Sequence, residues 1–305
     1  MRSERRLSSA SFAWPRSTAQ RWLYRLWPSS RLRRDPLSDL RVADRYAPVS
    51  IANWKLTPVM RRHVLAHRVP LPLTFEPERR LAVIIPFRDR EGHLCALLPV
   101  LTATLRQQQL RFRIIVVEQE PGSLFNRGRL INTGMLYAAE FSDYYCLHDV
   151  DALPVVANYA CPSQPLRLVS KIVAANDGHE ARRTGYYFSG AVSIRKEQAF
   201  AANGYSNEYW GWGKEDDDLF FRLLLAGYLC YYDTLGTFED LPNPGHQQVV
   251  RRSPATPPYV RYNRERRSRL VRGLMNPVED GLSTLRYTIV GRAQHEDYER
   301  ILVRW

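Results

Sequence analysis

The feature that most constrains the fold of this chain is an alternation of apolar runs and helical repeats between Leu81 and Asp151. Leu81–Ile85 is a continuous apolar run ended by Pro86, the pattern of a strand buried on both faces. The segments that follow are predicted as a helix (His93–Gln109), a strand (Phe112–Glu118), a helix (Arg127–Ala139) and a strand (Tyr144–His148). Successive strand–helix–strand units make right-handed crossovers, so the sequence predicts an α/β fold whose mostly parallel central sheet is covered by helices.

The chain after Asp151 is predicted to be rich in loops as far as about Ala181. Later elements are predicted as a strand (Tyr186–Ile194), a helix (Asp217–Gly227) and a strand (Tyr228–Tyr232). Ligands of such sheets bind outside the carboxyl ends of the strands. Pro86-Phe87-Arg88 and Asp149-Val150-Asp151 both lie at such ends, so we expect the functional site there.

Composition excludes several classes of protein. The 305 residues are 45% hydrophobic and 25% charged, as in soluble globular proteins, and no run of 18 apolar residues predicts a transmembrane helix. The N-terminus lacks the apolar core of a secretory signal, so a cytoplasmic enzyme is expected. The four cysteines show no zinc-type spacing, which favours free thiols in a reducing compartment.

Positive charge is concentrated in the N-terminal region. The net charge is +13, and residues 1–80 hold 17 arginines and lysines against 6 carboxylates, which predicts a basic N-terminal extension before a domain at 81–305. Thr18–Trp27 has the pattern of a basic amphipathic helix with aromatic anchors, which fits peripheral attachment to the anionic inner face of a membrane. A helix packed on the main domain is the alternative interpretation.

A second basic cluster lies at Arg261–Arg272. Basic clusters meet nucleic acid, anionic lipid or phosphate, but no zinc finger, RNA-recognition motif or recognition helix accompanies this one. Nucleic acid is therefore not the expected partner. Only 4 of the 44 basic residues are lysine, so solvated arginine in an arginine-rich sequence is the simplest interpretation.

Two acidic motifs carry the chemistry. Asp149-Val150-Asp151 offers the hard oxygen ligands that Mg²⁺ or Mn²⁺ prefer beside a nucleotide diphosphate, although such pairs also occur in ordinary turns. Trp210–Asp218 joins two tryptophans, two glycines and four consecutive carboxylates. An indole covers the apolar face of a sugar while an acid accepts its hydroxyl protons. Helix-dipole stabilisation explains one or two acids at a helix start, but explains four poorly.

These motifs occur in order with two others. The four segments are Ile85–Arg90, Phe125–Asn132, His148–Pro154 and Asn203–Asp218. Together they resemble the β-1,4-galactosyltransferase family, glycosyltransferase family 7, over roughly residues 80–290. Asp280–Tyr287 is similar to the family's closing segment.

The resemblance implies a GT-A fold and inverting, metal-dependent transfer of galactose from UDP-galactose to a saccharide hydroxyl in β-1,4 linkage. The donor-binding residues that it implies are Pro86, Phe87, Arg88, Phe125, Arg127, Asp149, Tyr187, Gly190 and Trp212. It implies Trp212, Glu215 and Asp216 for the acceptor, with Asp216 as the catalytic base. Mn²⁺, or Mg²⁺ in its place, would bind Asp151 and His246, with Glu239 or Asp240 as alternatives to His246.

The chain also departs from the family pattern. The transmembrane anchor of Golgi members is missing, which favours a bacterial-type cytoplasmic enzyme, and Ser189-Gly190 replaces the usual Gly-Gly. Tyr187 matches a position where tyrosine favours galactose over N-acetylgalactosamine. The alternatives are an N-acetylgalactosaminyl- or other hexosyltransferase of the same fold, an inactive sugar-binding domain, and a basic surface-binding module. The acceptor is expected to be a saccharide or a glycolipid.

Overall fold

A large mixed sheet organises the protein. The computed structural model describes residues 45–50, 56–58, 61–62, 73–174, 182–183, 188–242 and 257–305. Its strands are β1 (Tyr46–Pro48), β2 (Phe75–Glu76), β3 (Arg80–Phe87), β4 (Arg111–Gln119), β5 (Tyr144–His148), β6 (Ala152–Val156), β7 (Cys161–Pro162), β8 (Leu166–Arg167), β9 (Lys171–Ala174), β10 (Arg182–Arg183), β11 (Ala191–Arg195), β12 (Tyr231–Asp233), β13 (Thr237–Asp240), β14 (Thr288–Gln294) and β15 (Glu299–Arg304). Its α-helices are α1 (Glu91–Gln107), α2 (Arg127–Ala138), α3 (Lys196–Ala201), α4 (Glu215–Leu225) and α5 (Pro258–Val271), and 3-10 turns lie at Pro277–Glu279 and Leu282–Thr284.

The large sheet has the strand order β1-β12-β8-β11-β5-β3-β4-β15-β14. Its middle is parallel, because β5, β3, β4 and β15 pair in the same direction. Antiparallel pairs flank this middle, with β11 on β5 and β14 on β15. The predicted α/β class, with a parallel core under helices, is confirmed.

Strand β3, in the middle of the parallel core, is buried on both faces. Ala82 and Ile84 join the cluster formed with α2 and α4, whereas Leu81 and Val83 join the one formed with α1. Residues that alternate along a strand point to opposite faces, so a strand covered on both faces must be apolar throughout. This explains why β3 reads as an uninterrupted apolar run.

The segment after Asp151 contains more strands than its sequence predicts. A second sheet has the order β10-β9-β13-β6, and β2 pairs with β7. The loop-rich prediction for this segment was wrong because its strands have only two to five residues and pair with distant partners, as β6 does with β13. Short pairings of this kind leave no periodic signal in the sequence.

The ends of two later elements also differ from prediction. Helix α4 begins at Glu215 rather than Asp217, directly after Lys214, whose φ of 83° is left-handed. It ends before Gly227, whose φ of 90° breaks the helix, and β12 follows only at Tyr231. The cysteines Cys95, Cys146, Cys161 and Cys230 are free, as expected. Within the described ranges, no helix combines the length and apolarity needed to cross a bilayer.

Candidate active site

Arg127 joins the two acidic motifs. It is the first residue of α2, and its Nε donates to Asp149 Oδ1 at 2.8 Å while its Nη1 donates to Asp216 Oδ1 at 2.6 Å. The preceding Asn126 caps the helix, because its side chain accepts from the Arg129 N–H at 2.9 Å. The side chain of Arg127 is only 11% exposed, so its charge is satisfied by these two carboxylates. The carboxyl end of β5 and the N-terminus of α4 are therefore held together through one guanidinium group.

Asp149 is fixed through its backbone as well. Its N–H donates to the Gly190 carbonyl at 2.8 Å, which brings Gly190 to this edge of the sheet. The buried His148 ring contacts the Asp149 carbonyl through Nδ1 and the Tyr159 hydroxyl through Nε2, both at 2.9 Å. Burial lowers the pKa of His148 to about 4, so the ring is neutral near pH 7. Nδ1–H therefore donates to the carbonyl, and Nε2 accepts from the tyrosine hydroxyl.

The first two acids of α4, Glu215 and Asp216, lie close to the Arg127 guanidinium. Burial raises the pKa of Asp216 well above its usual range, and the Arg127 guanidinium opposes that rise. Burial likewise raises the pKa of Glu215. Glu215 is 8% exposed, and its Oε2 has no hydrogen-bond partner within the described part of the chain. A buried carboxylate oxygen without a partner is costly unless a ligand supplies one.

The other two acids have structural partners. Asp218 is fully buried, forms an ion pair with Arg222 and accepts from the Tyr209 hydroxyl at 2.9 Å. Asp217 pairs with Lys214 at 3.0 Å and with Arg267 at 3.5 Å. The four consecutive carboxylates thus divide into a pair facing Arg127 and a pair that anchors the helix.

The tryptophan loop, Trp210–Lys214, lies directly before α4; its backbone is tightly bent and is hydrogen-bonded to neighbouring segments. Gly211 and Gly213 have φ values of 70° and 101°. The Gly211 N–H donates to the Phe125 carbonyl at 2.8 Å, and Nδ2 of the buried Asn263 donates to the Trp210 carbonyl at 3.0 Å. Trp212 itself remains 41% exposed, so an anchored backbone presents an accessible indole.

Four of the predicted donor residues lie at or near the carboxyl end of β3. Pro86 and Phe87 are buried at the end of β3. Arg88 follows, and its Nη1 donates to the Ser123 carbonyl at 2.8 Å while its guanidinium lies 5.3 Å from the centroid of the Phe125 ring. This places Arg88 and Phe125 together, in the segment that leads into Arg127.

The predicted metal site is described only in part. Asp151 lies in the turn between β5 and β6, and its carbonyl accepts from the Leu241 N–H at 2.8 Å. The same pairing places Asp240 opposite Ala152, so the end of β13 lies beside this turn. Within the ranges that the structure covers, no group of three or more His, Cys, Asp or Glu side chains could hold a metal ion.

Two predicted site residues, Tyr187 and His246, lie outside the described residues, as does the predicted helix Thr18–Trp27. The chemistry of the described donors nevertheless fits a hard divalent cation, because Asp151 and Asp240 offer carboxylate oxygens beside one turn. A complete coordination shell would need further donors beside these two carboxylates.

Sequence reasoning missed Tyr205 and Asn263. The Tyr205 hydroxyl accepts from Arg127 Nη1 at 3.1 Å and donates to Asp216 Oδ1 at 3.3 Å. Tyr205 lies inside a segment that carried the family resemblance, and that was its only signal. Asn263 lies in α5, where the arginine pattern dominates and one amide carries no local signal.

The comparisons with known proteins agree on one family. The model described as the N-terminal region of glycosyl transferase group 7 matches residues 53–162, and that described as the N-terminal domain of galactosyltransferase matches 172–239. Human β-1,4-galactosyltransferase 4 is 42% identical over 151 residues, which cover 48% of this chain and 43% of that protein. β-1,4-Galactosyltransferase 3 of Bos taurus is 35% identical over 225 residues, which cover 72% of this chain and 54% of that protein. The chain therefore spans about half the length of the curated relatives it matches.

A solved structure extends the similarity to the fold. The catalytic domain of Drosophila β1,4-galactosyltransferase 7, in complex with xylobiose, aligns with a TM-score of 0.59 at 28% identity, covering 74% of this chain and 93% of that chain. The two family matches together span more than half of the sequence. The chain therefore has a GT-A fold and belongs to glycosyltransferase group 7, the family of the β-1,4-galactosyltransferases.

Proposed function

We propose that this protein transfers galactose from UDP-galactose to a saccharide hydroxyl with inversion at the anomeric carbon. The observation that carries the proposal is that one side chain, Arg127, bonds to two carboxylates. These are Asp149, at the carboxyl end of β5, and Asp216, at the N-terminus of α4. Family membership supports it, as does a Drosophila β1,4-galactosyltransferase 7 variant solved with manganese, UDP-Gal and xylobiose, which aligns with a TM-score of 0.58.

Asp216 is the proposed catalytic base. A base is most effective when its pKa lies near the working pH, and burial raises the pKa of this carboxyl toward that range. Its side chain is 23% exposed, so an acceptor hydroxyl can reach it. Asp216 takes the hydroxyl proton while the acceptor oxygen bonds to the anomeric carbon and UDP departs from the opposite side.

Glu215 is the proposed acceptor ligand. Its unpartnered Oε2 offers a lone pair to a sugar hydroxyl, which would satisfy a buried oxygen. Trp212 covers the sugar from the loop before α4, and its flanking glycines give that loop the conformational freedom to close. Closure excludes water and so suppresses hydrolysis of the donor.

Arg127 acts by positioning rather than by neutralising the departing diphosphate. Its guanidinium already pairs with two carboxylates and is nearly inaccessible, so little positive charge remains for a third anion. Arg88 and Phe125 form the donor-side wall with Pro86 and Phe87. We assign the uridine to this wall.

Asp151 is the proposed ligand of Mn²⁺, with Mg²⁺ as an alternative, and the second ligand is His246 or a carboxylate of Glu239 or Asp240. When bound, the cation supplies Lewis-acid stabilisation of charge on the diphosphate. Glu239 and Asp240 pair with Leu153 and Ala152, so both lie beside the turn that holds Asp151.

The test is a screen of UDP-sugars with and without Mn²⁺, scored by thermal unfolding and by transfer to saccharide acceptors. A bound donor stabilises the folded state in proportion to RT ln(1 + [L]/Kd), about 2.7 kcal/mol at a hundredfold excess over Kd. UDP-galactose should give the largest Mn²⁺-dependent shift and the fastest transfer. A larger shift and faster transfer with UDP-N-acetylgalactosamine would overturn the choice of sugar.

Two variants sharpen this screen. Asp151→Ala should abolish the Mn²⁺-dependent part of the shift, because it removes the proposed metal ligand. Asp297→Ala is the matched control and should leave the shift intact, since among the described residues Asp297 pairs only with the exposed Arg106 at the surface. Equal shifts in both variants would show that Asp151 does not hold the metal.

A further inference from the structure

Helix α5 carries a basic face that the proposed reaction does not use. Four exposed arginines lie on the outward side of the helix and at its C-terminal cap, with one exposed carboxylate, Glu265, among them. These arginines form the α5 basic face: Arg261, Arg264, Arg269 and Arg272. None of the four forms a salt bridge with any other described residue. The opposite side of α5 is buried through Val260, Asn263, Leu270 and Val271. The helix is therefore amphipathic, with its unpaired positive charge directed outward.

The inward arginines of the same helix behave differently. Arg266 pairs with Asp280 at 2.5 Å, and Arg267 pairs with Asp217 at 3.5 Å. The helix separates arginines that hold the fold from arginines that face solvent.

Exposed apolar side chains lie within α5 and in the turn that follows it. Leu274 and Val278, in the turn after the helix, are 58% and 67% exposed, and Tyr262 within the helix is 48% exposed. Aliphatic side chains gain little from contact with a phosphate backbone, whereas they gain free energy by entering the interface of a bilayer. Single-stranded nucleic acid sites rely instead on several stacking aromatics, and this surface has one.

We propose that α5 and the turn after it, residues 258–278, dock on an anionic phospholipid surface. The arginines of the α5 basic face contact the lipid phosphates, and Leu274 and Val278 enter the interface beside them. Guanidinium groups suit phosphate because their donors form a planar fork. The clustered positive charge matches the negative surface of such a membrane.

Docking here would bring the tryptophan loop close to the lipid. Asn263, on the inner side of α5, donates to the carbonyl of Trp210, and the ring of Tyr259 packs against Gly211. An acceptor carried on a lipid would then reach Glu215 and Asp216 from the membrane side. That last consequence rests on the proposed function, whereas lipid binding itself does not.

The test measures binding of the full chain to vesicles of phosphatidylcholine with and without phosphatidylglycerol. The triple variant Arg261→Gln/Arg264→Gln/Arg272→Gln should bind anionic vesicles roughly tenfold to a hundredfold more weakly than the wild type. The matched control Arg111→Gln/Arg286→Gln/Arg304→Gln removes three exposed arginines elsewhere and the same net charge. It should bind within about twofold of the wild type.

A second variant tests the apolar part without changing charge. Leu274→Ser/Val278→Ser should weaken binding to anionic vesicles severalfold and make the remaining binding more sensitive to salt. Equal losses in the two arginine triples would reduce the effect to net charge and overturn the proposal. The proposal would also be overturned if the triple variant Arg261→Gln/Arg264→Gln/Arg272→Gln kept vesicle binding but lost binding to a single-stranded RNA. Because the readout is lipid binding, failure here is distinct from failure of galactosyl transfer.

Discussion

The Nη1 group of Arg127 donates a 2.6 Å hydrogen bond to the Asp216 carboxylate, although 89 residues separate the two along the chain. The same guanidinium binds Asp149, so the proposed base of the acceptor side depends on the strand that forms the donor side. Because the guanidinium group is planar and rigid, a buried arginine that bonds to two carboxylates fixes the distance between them. Donor and acceptor positions are thus coupled through one side chain.

Arg127→Lys should therefore impair transfer without removing charge. A lysine ammonium is a compact point charge and cannot span both carboxylates with separate donors. We expect kcat to fall by about 100-fold, the cost of an ångström-scale misplacement of a reacting group. Steady-state kinetics on purified protein measures this. Arg106→Lys, at an exposed arginine paired with Asp297, is the control and should leave kcat unchanged.

Asp216→Asn should abolish base catalysis while preserving donor binding. We expect kcat to drop by about 10²- to 10⁴-fold, with UDP binding in Mn²⁺ unaltered in calorimetry. In the wild type the base must be ionised, so the rate should fall as the pH drops through the raised pKa of Asp216. The Asp216→Asn variant should lack this decrease in rate at low pH. Asp217→Asn, one residue away and paired with Lys214, should keep it.

Sequence reasoning found those parts of the fold in which burial leaves a local pattern. Strand β3 was predicted because both of its faces are covered, and every residue from Leu81 to Phe87 is buried. Strands β6 and β13 were missed because they are short and Val155, in β6, is 47% exposed. The Arg127–Asp216 contact depends on tertiary packing, so no periodicity could have signalled it. Family resemblance supplied the candidate residues, and the fold supplied their distances.

Asp218→Asn should reduce stability rather than chemistry. Asp218 and Arg222 are each 1% exposed in their side chains, and Asp218→Asn leaves the buried Arg222 with only the more distant Asp280 carboxylate, at 3.6 Å. Removing one partner of a buried ion pair costs about 3–5 kcal/mol, and Asp280 should keep the loss at the lower end of that range. Urea unfolding should show this decrease, whereas kcat of the folded fraction should stay within a few-fold of the wild type. A large fall in kcat with unchanged stability would assign Asp218 to the chemistry instead.

Folding stability should fall at mildly acidic pH because of His148. Burial lowers the pKa of His148 from 6.5 to about 4, so the folded state binds its proton more weakly than the unfolded state does. This contribution is fully present above pH 6.5 and is lost as the pH falls toward 4, at about 1.4 kcal/mol per pH unit. Urea unfolding at several pH values measures the slope. His148→Gln should flatten this slope.

Gly211→Ala should disable the tryptophan loop by a local clash. A Cβ at Gly211 would lie 2.5 Å from the ring of Tyr259 on α5, and the φ of 70° is strained for any L-residue with a side chain. Gly213→Ala is the matched control, because its φ of 101° imposes similar strain while a Cβ there meets nothing within 4 Å. If the Gly211 end of the loop must stay against α5 while Trp212 closes over the sugar, kcat should fall about tenfold or more in Gly211→Ala beyond its fall in Gly213→Ala. Equal losses of kcat in the two variants would show that backbone strain alone causes the effect. In that case, adding Tyr259→Ala to Gly211→Ala should not restore kcat.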